Sequence, residues 1–268
     1  MRRSERNMAW ANTNAPFCLT RNILDTPSIL NSTKPVLYET GYKEFPYAYA
    51  GSCFPVRWND KLYIVSAYHC FENHEILPEK ILYPIPNHKN KCFSFANTLR
   101  ASNESANDLK HYDQILLEVS ADIHSKKQIS SVPSLNLCDA NSVIPLSSNN
   151  IKDVWLRGYL FDNPNYEINY ELKKIRQQAH VTNGFISTRK SKSDHCFYVK
   201  VITPTPDGFS ANGMSGSGVY AIDNLSRIRL GGVVIELNIL TSEYLVIDAS
   251  VIRELLRKAN SGPMQPDH

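Results

Sequence analysis

The feature that most limits the fold is a recurring alternation, from Val36 onward, of short apolar runs with turn-forming residues. Runs rich in Val, Ile, Leu, Tyr and Phe occupy 62–67 (LYIVSA), 114–119 (QILLEV), 153–160 (DVWLRGYL), 196–202 (CFYVKVI), 228–236 (IRLGGVVIE) and 244–248 (YLVID). Their lengths and their β-branched and aromatic content are those of strands, and Asn, Asp, Gly, Pro and Ser separate them. Helical periodicity is clear only at 249–260 (ASVIRELLRKAN). There Val251, Ile252, Leu255, Leu256 and Ala259 share one face, and Arg253, Glu254, Arg257 and Lys258 lie outside it. Asp248 is placed to cap that helix, basic residues fill its last turn, and Gly262-Pro263 ends it.

Many short strands closed by one helix predict an all-β chain. A polar stretch at 139–150 (DANSVIPLSSNN) interrupts the strands. The simplest division is therefore an Asn-, Ser-, Thr- and Pro-rich extension over 1–35, a β-domain over 36–138, a second over 139–248 and the helix over 249–260. Closing each sheet into a barrel or a sandwich hides its strand edges.

The 268 residues allow one large domain or two smaller ones. An apolar fraction of 42% against 21% charged excludes a disordered chain. No apolar run approaches the ~18–20 residues of a membrane-spanning helix, so no membrane span is expected. The net charge of +3 and the lack of basic clusters beyond Lys173-Lys174 and Arg189-Lys190 speak against a nucleic-acid partner. The six cysteines form no CxxC pair, and segment 4–16 (SERNMAWANTNAP) has no apolar core of a signal peptide. Free thiols in a reducing, cytoplasmic compartment are the default expectation, with export independent of a cleaved peptide as the alternative.

Three segments carry residues suited to acyl transfer. Ser215 lies within Gly213-Met214-Ser215-Gly216-Ser217-Gly218, where glycines permit unusual backbone angles and close approach of a substrate. The N–H groups of Gly213 and Ser215 are then candidates to face a developing oxyanion. A serine hydroxyl needs a base, and His69 follows an apolar strand in LYIVSAYHCF. That base needs an acid to hold its tautomer, and Asp113 opens the strand-like HYDQILLEV. Singly, each has a plain structural reading: a Gly/Ser turn, a histidine beside a strand, an aspartate in a turn.

Together the three segments resemble the trypsin/chymotrypsin-like serine proteases and their bacterial and viral relatives. SAYHC at 66–70 is similar to the family's TAAHC, the segment at 112–117 to its D-I-x-L-L, and 213–218 to its G-D-S-G-G-P. The order His, Asp, Ser is the family's. Ala50-Gly51-Ser52 resembles the strand leading to the histidine, Leu230-Gly231-Gly232-Val233-Val234 the strand whose far end pairs with substrate, and Tyr244–Asp248 before a helix the family's C-terminus. The likeness covers about residues 37 to 259. It implies two antiparallel six-stranded β-barrels with a C-terminal helix, and a triad of Ser215 (nucleophile), His69 (base, then acid) and Asp113 in the cleft. It also implies an oxyanion hole from the Gly213 and Ser215 amides. The implied activity is hydrolysis of protein or peptide substrates through an acyl-enzyme, with no cofactor and no metal.

Departures from the pattern carry expectations of their own. Met214 replaces the aspartate that, in secreted relatives, pairs with a new N-terminus, so activation by N-terminal insertion is not expected. The substrate pocket is assigned to Phe209, Ser210, Asn212, Ile235, Glu236 and Leu237. Phe209 and Leu237 would crowd a deep pocket and neither offers a charge for Lys or Arg, although Asp207 is nearby, so a small or medium apolar side chain is expected before the scissile bond. Cys53 and Cys70 flank the histidine as a family disulfide does, but Cys53 is out of register, and free thiols are expected. Ser217 is a rival nucleophile, Asp108 a rival acid, and His111 and His180 are alternative substrate contacts. The His-Cys pairs at 69–70 and 195–196 lack the close neighbours of a zinc site. Two other functions remain open: a silent module that keeps the fold, and an esterase or acyl-transferase using the same site.

Overall fold

The computed structural model describes residues 9–11, 29–72, 76–88, 91–100, 113–161, 167–170, 174–176, 179–202, 212–238 and 240–261. Phe209, Ser210, Asp207, Asp108, His111, Cys18, most of the N-terminal extension and the tail after Ser261 lie outside the described residues.

The chain is mostly β. The first sheet contains β2 (Lys34–Glu39), β3 (Tyr47–Trp58), β4 (Lys61–Ser66), β5 (Ile81–Leu82), β6 (Phe95–Leu99), β7 (Ile115–Val119) and β8 (Leu135–Asn136). Its order is β5-β2-β3-β4-β7-β6, with β8 added parallel to the end of β3. The sheet curls as a half-barrel whose outer strands, β5 and β6, do not pair. The second sheet contains β9 (Ile151–Tyr159), β12 (Ala179–Lys190), β13 (Cys196–Val201), β14 (Gly218–Asp223), β15 (Ile228–Asn238) and β16 (Glu243–Asp248). These six close fully in the order β12-β13-β16-β15-β14-β9. The expected two-barrel, all-β fold is thus present, with one barrel closed and the other open. A two-residue β5 offers too short an edge to close the first.

Between β9 and β12 runs a hairpin of β10 (Glu167–Asn169) and β11 (Lys174–Arg176), and β1 (Ala9–Ala11) of the N-terminal extension pairs parallel with β11. The hairpin sits against the first sheet, where the Tyr170 hydroxyl donates to the Tyr47 carbonyl at 3.0 Å.

The long strand β3 explains how the two sheets meet. Residues from Tyr49 to Val56 are buried without alternation. One face fills the core of its own sheet and the other lies against the second barrel, so neither face is wet. Two short helices, α1 (His69–Glu72) and α2 (Lys126–Ser130), precede α3 (Ala249–Asn260), which has the predicted bounds, and Asp248 caps it, its Oδ1 accepting from Ser250 N at 2.8 Å. Its buried Ala249, Ile252 and Leu256 join the core that holds Phe54, Tyr63 and Leu116 of the first sheet. Arg253 Nε donates to Leu137 O at 3.0 Å. The helix therefore bridges the two halves, its apolar face in a core shared with Leu230 and Ile247 of the second barrel and its Arg253 bonded to the first. No helix among the described residues is long and apolar enough to cross a membrane.

Candidate active site

Strand pairing brings His69 and Asp113 together across 44 positions of sequence. In the antiparallel ladder of β4 and β7, Ser66 lies opposite Ile115. The chain leaving β4 therefore runs beside the chain entering β7. His69 opens a one-turn helix, α1 (His69–Glu72), rather than standing on the strand itself. The Asp113 carboxylate takes two hydrogen bonds from it: Oδ1 accepts the His69 amide at 2.8 Å, and Oδ2 meets ring Nδ1 at 2.7 Å. An ionised carboxylate only accepts, so Nδ1 carries a proton, and in the neutral imidazole it is Nε2 that keeps the lone pair. The Asp113 carbonyl also accepts from Tyr68 N at 3.3 Å. The imidazole remains 34% exposed. Asp113, with a smaller contribution from the Cys70 side chain, favours the imidazolium and holds the His69 pKa above its ordinary 6.5.

Ser215 occupies a turn between Asn212 and β14. Gly216 adopts φ +83°, and a Cβ there would overlap Ser52 O and Ser66 Oγ. The turn is thus pressed against the first sheet, next to the strand that ends before His69. Ser52 N donates to Ser215 O at 2.7 Å, and Cys70 Sγ lies 3.8 Å from the same oxygen. On the other side, Gly216 N donates to Val234 O and Val234 N to Ser217 O, at 2.7 and 2.9 Å. The Ser215 hydroxyl is half-buried and turned to the Ile235 carbonyl at 3.5 Å. Among the described residues it makes no hydrogen bond to His69. Such contacts are commonly long before substrate binds.

The two expected oxyanion donors have orientations set by their neighbours. Asn212 O accepts from Phe161 N at 2.9 Å, and Met214 O from Ser217 N at 3.0 Å. In a trans peptide the N–H points opposite the C=O. The Gly213 and Ser215 amides therefore point away from those anchors, and among the described residues neither donates to a protein acceptor. Gly213 needs φ +102°, and a Cβ there would stand 2.5 Å from Tyr159 O.

Of the pocket residues, Ile235 is the extra residue of a bulge, since Val234 pairs with Val246 and Glu236 with Leu245. β14 pairs with β15 only as far as Val233, so the edge beyond it is not taken by β14. Ile235 is buried, Leu237 is half-buried against the second core, and Glu236 and Asn212 are exposed. Ser217 is fully buried, with Oγ 3.9 Å from Met214 Sδ, and is no rival to Ser215. Residues 215 and 217 do not share a face, because the glycine turn breaks the strand alternation. His180 lies in β12 opposite Gly158, and burial pushes its pKa down. Met214 is buried in the second core.

Cys53 and Cys70 are free and buried. Cys53 Sγ faces Pro35 O at 3.9 Å. It is Gly51, not Cys53, that faces Cys70: a Cβ on Gly51 would lie 2.5 Å from Cys70 Sγ and 3.3 Å from its Cβ. Sequence reasoning places Ser52 on a strand but gives its side chain no part in the site, and its neighbours Gly51 and Gly216 were the available signal.

No protein-family model matches the chain, and no curated protein matches it either.

The packing of α1 on β3 is open to a direct check. Disulfides need Cβ atoms about 3.5–4.5 Å apart, close to the spacing at Gly51 and Cys70. A Cβ at 51 also meets Ser215 O at 2.9 Å, so Gly51→Cys asks the Ser215 loop to give way, and it is expected to pair with Cys70 on mild oxidation, read by peptide mapping. A map in which both thiols stay free, or in which Cys70 pairs with Cys53, contradicts this packing.

Proposed function

We propose that the chain is a serine endopeptidase of the trypsin/chymotrypsin-like kind, with Ser215 as nucleophile, His69 as base and Asp113 as orienting acid. The observation that carries this reading is the doubly hydrogen-bonded His69–Asp113 pair, built on the sheet that Ser215 O contacts through Ser52. Extended peptides suit the bulged edge of β15 beside Ser215, which offers backbone groups to a β-strand substrate. Leu237, half-buried on the same strand, favours a small or medium apolar side chain before the scissile bond.

In this mechanism Ser215 Oγ first turns from Ile235 O toward His69. Nε2 takes its proton as Oγ attacks the carbonyl carbon. The imidazolium is stabilised by Asp113, and the oxyanion is met by the Gly213 and Ser215 amides. His69 then protonates the leaving amine, which departs and leaves an acyl-Ser215. Water, deprotonated by the same nitrogen, attacks the ester and restores Ser215. None of these steps calls on a cofactor.

A silent protease-fold module is the second reading, and the bond from Ser215 Oγ to Ile235 O favours it. A fluorophosphonate probe separates the two. Wild type is expected to be phosphonylated at Ser215, and Ser215→Ala to lose the label. An unlabelled wild type contradicts the hydrolase reading, and a label that persists in Ser215→Ala moves the nucleophile elsewhere.

The pH profile tests the base. Only neutral His69 accepts the proton, and Asp113 favours the charged form. The acid limb of kcat/KM is therefore expected at a midpoint above 6.5, the ordinary histidine value. Asp113→Asn removes the stabilising charge, so its limb moves to lower pH while kcat falls by about 10⁴. A wild-type midpoint at or below 6.5, or an Asp113→Asn limb that does not move, contradicts the assignment.

A further inference from the structure

We propose that the Ser52 hydroxyl is a positioning residue for the oxyanion site, an assignment that rests on the serine-hydrolase reading above. Ser52 belongs to the first sheet, is fully buried, and lies against the loop that carries Ser215. None of its polar atoms is idle. Its amide donates to Ser215 O at 2.7 Å, and its carbonyl accepts from Ser66 Oγ at 2.7 Å. Its Oγ accepts from Tyr159 N at 3.0 Å and donates to Gly213 O at 2.7 Å.

The direction of the last bond is forced. Tyr159 N is a donor, so it takes a lone pair of the hydroxyl, and the single hydroxyl proton is left for the Gly213 carbonyl. That bond fixes the peptide following Gly213. The Phe161 amide, through Asn212 O, fixes the peptide preceding it. With both flanking peptides pinned, Gly213 is held at φ +102° and its N–H at one orientation in the cleft. Without the Ser52 hydroxyl the second peptide loses its anchor. The Ser52 hydroxyl touches neither substrate nor reacting atoms and acts on the oxyanion site through Gly213.

The surroundings leave little choice of side chain. A Cβ on Gly158 would come within 3.0 Å of Ser52 Oγ, so a larger group meets the second barrel. Alanine fits the space but leaves Gly213 O and Tyr159 N without this partner. The clamp is internal to the folded chain, so the oxyanion donors are aligned without any new N-terminus.

The test compares wild type with Ser52→Ala in steady-state peptide hydrolysis and in binding of a peptide boronate, which forms a tetrahedral adduct at the serine. Removing an oxyanion donor outright costs about 10²–10³ in kcat. Misaligning one is expected to lower kcat by about tenfold or more with KM changed by less than about threefold. Boronate affinity is expected to fall by the same factor as kcat. A purely structural role would lower the unfolding midpoint while leaving kcat and boronate affinity unchanged in the folded fraction, and that result overturns the assignment. Should Ser52→Ala not fold, Ser52→Cys, with a similar size and a weak donor, takes its place in the same kcat and boronate comparison. A fall in both supports the assignment, and unchanged values overturn it. A wild type that neither cleaves peptides nor binds the boronate removes the hydrolase reading and this assignment together. An active wild type with an unaltered Ser52 variant removes this assignment alone.

Discussion

The hydrogen bond from Ser52 N to Ser215 O, 2.7 Å long, is the contact on which the site depends. It joins a strand of the first sheet directly to the Ser215 loop of the second. Around this bond the two chains lie too close for a side chain at the neighbouring glycines. Gly216 and Gly51 hold those positions, for a Cβ on either would strike the opposing chain. Leaving a buried donor or acceptor unpaired costs about 1–3 kcal/mol, so the seam of bonds around Ser52 resists sliding of one sheet against the other.

Each half of the structure brings a different chemical part to that seam. The first sheet supplies the His69–Asp113 pair because β4 and β7 are neighbours and their ends adjoin. The closed barrel supplies the Ser215 turn, held between Val234 and Ser52, and the bulge at Ile235. Helix α3 ties the halves together again at a distance from the site, through Arg253 to Leu137 and Asn260 to Tyr63. A rigid frame of this kind suits a mechanism in which fixed amides meet a developing charge.

Much of this was legible in the sequence, for identifiable reasons. Helix 249–260 was readable because its apolar face must repeat with helical period, and the bounds agree. The strands were readable because β-branched and aromatic runs have few other homes, although their ends shift by a residue or two. His69 and Asp113 could be paired from motif order alone. The rest depends on tertiary bonds that leave no periodic trace. Closure of one sheet and not the other turns on the short β5. The burial of Ser217 follows from the positive φ of Gly216, which ends the strand alternation that would have put residues 215 and 217 on one face. Gly51 facing Cys70 follows from β3 packing on α1. The part played by Ser52 exists only once both sheets are assembled.

Cleavage of peptide bonds by Ser215 would leave new N-termini behind. Mapping of new N-termini after a denatured protein mixture is incubated with purified wild type, and in parallel with Ser215→Ala, tests it most directly. Internal cleavages are expected with the wild type, enriched for small or medium apolar residues before the cut, and none with Ser215→Ala. An equal set of new termini with both proteins, or none with the wild type, would contradict it.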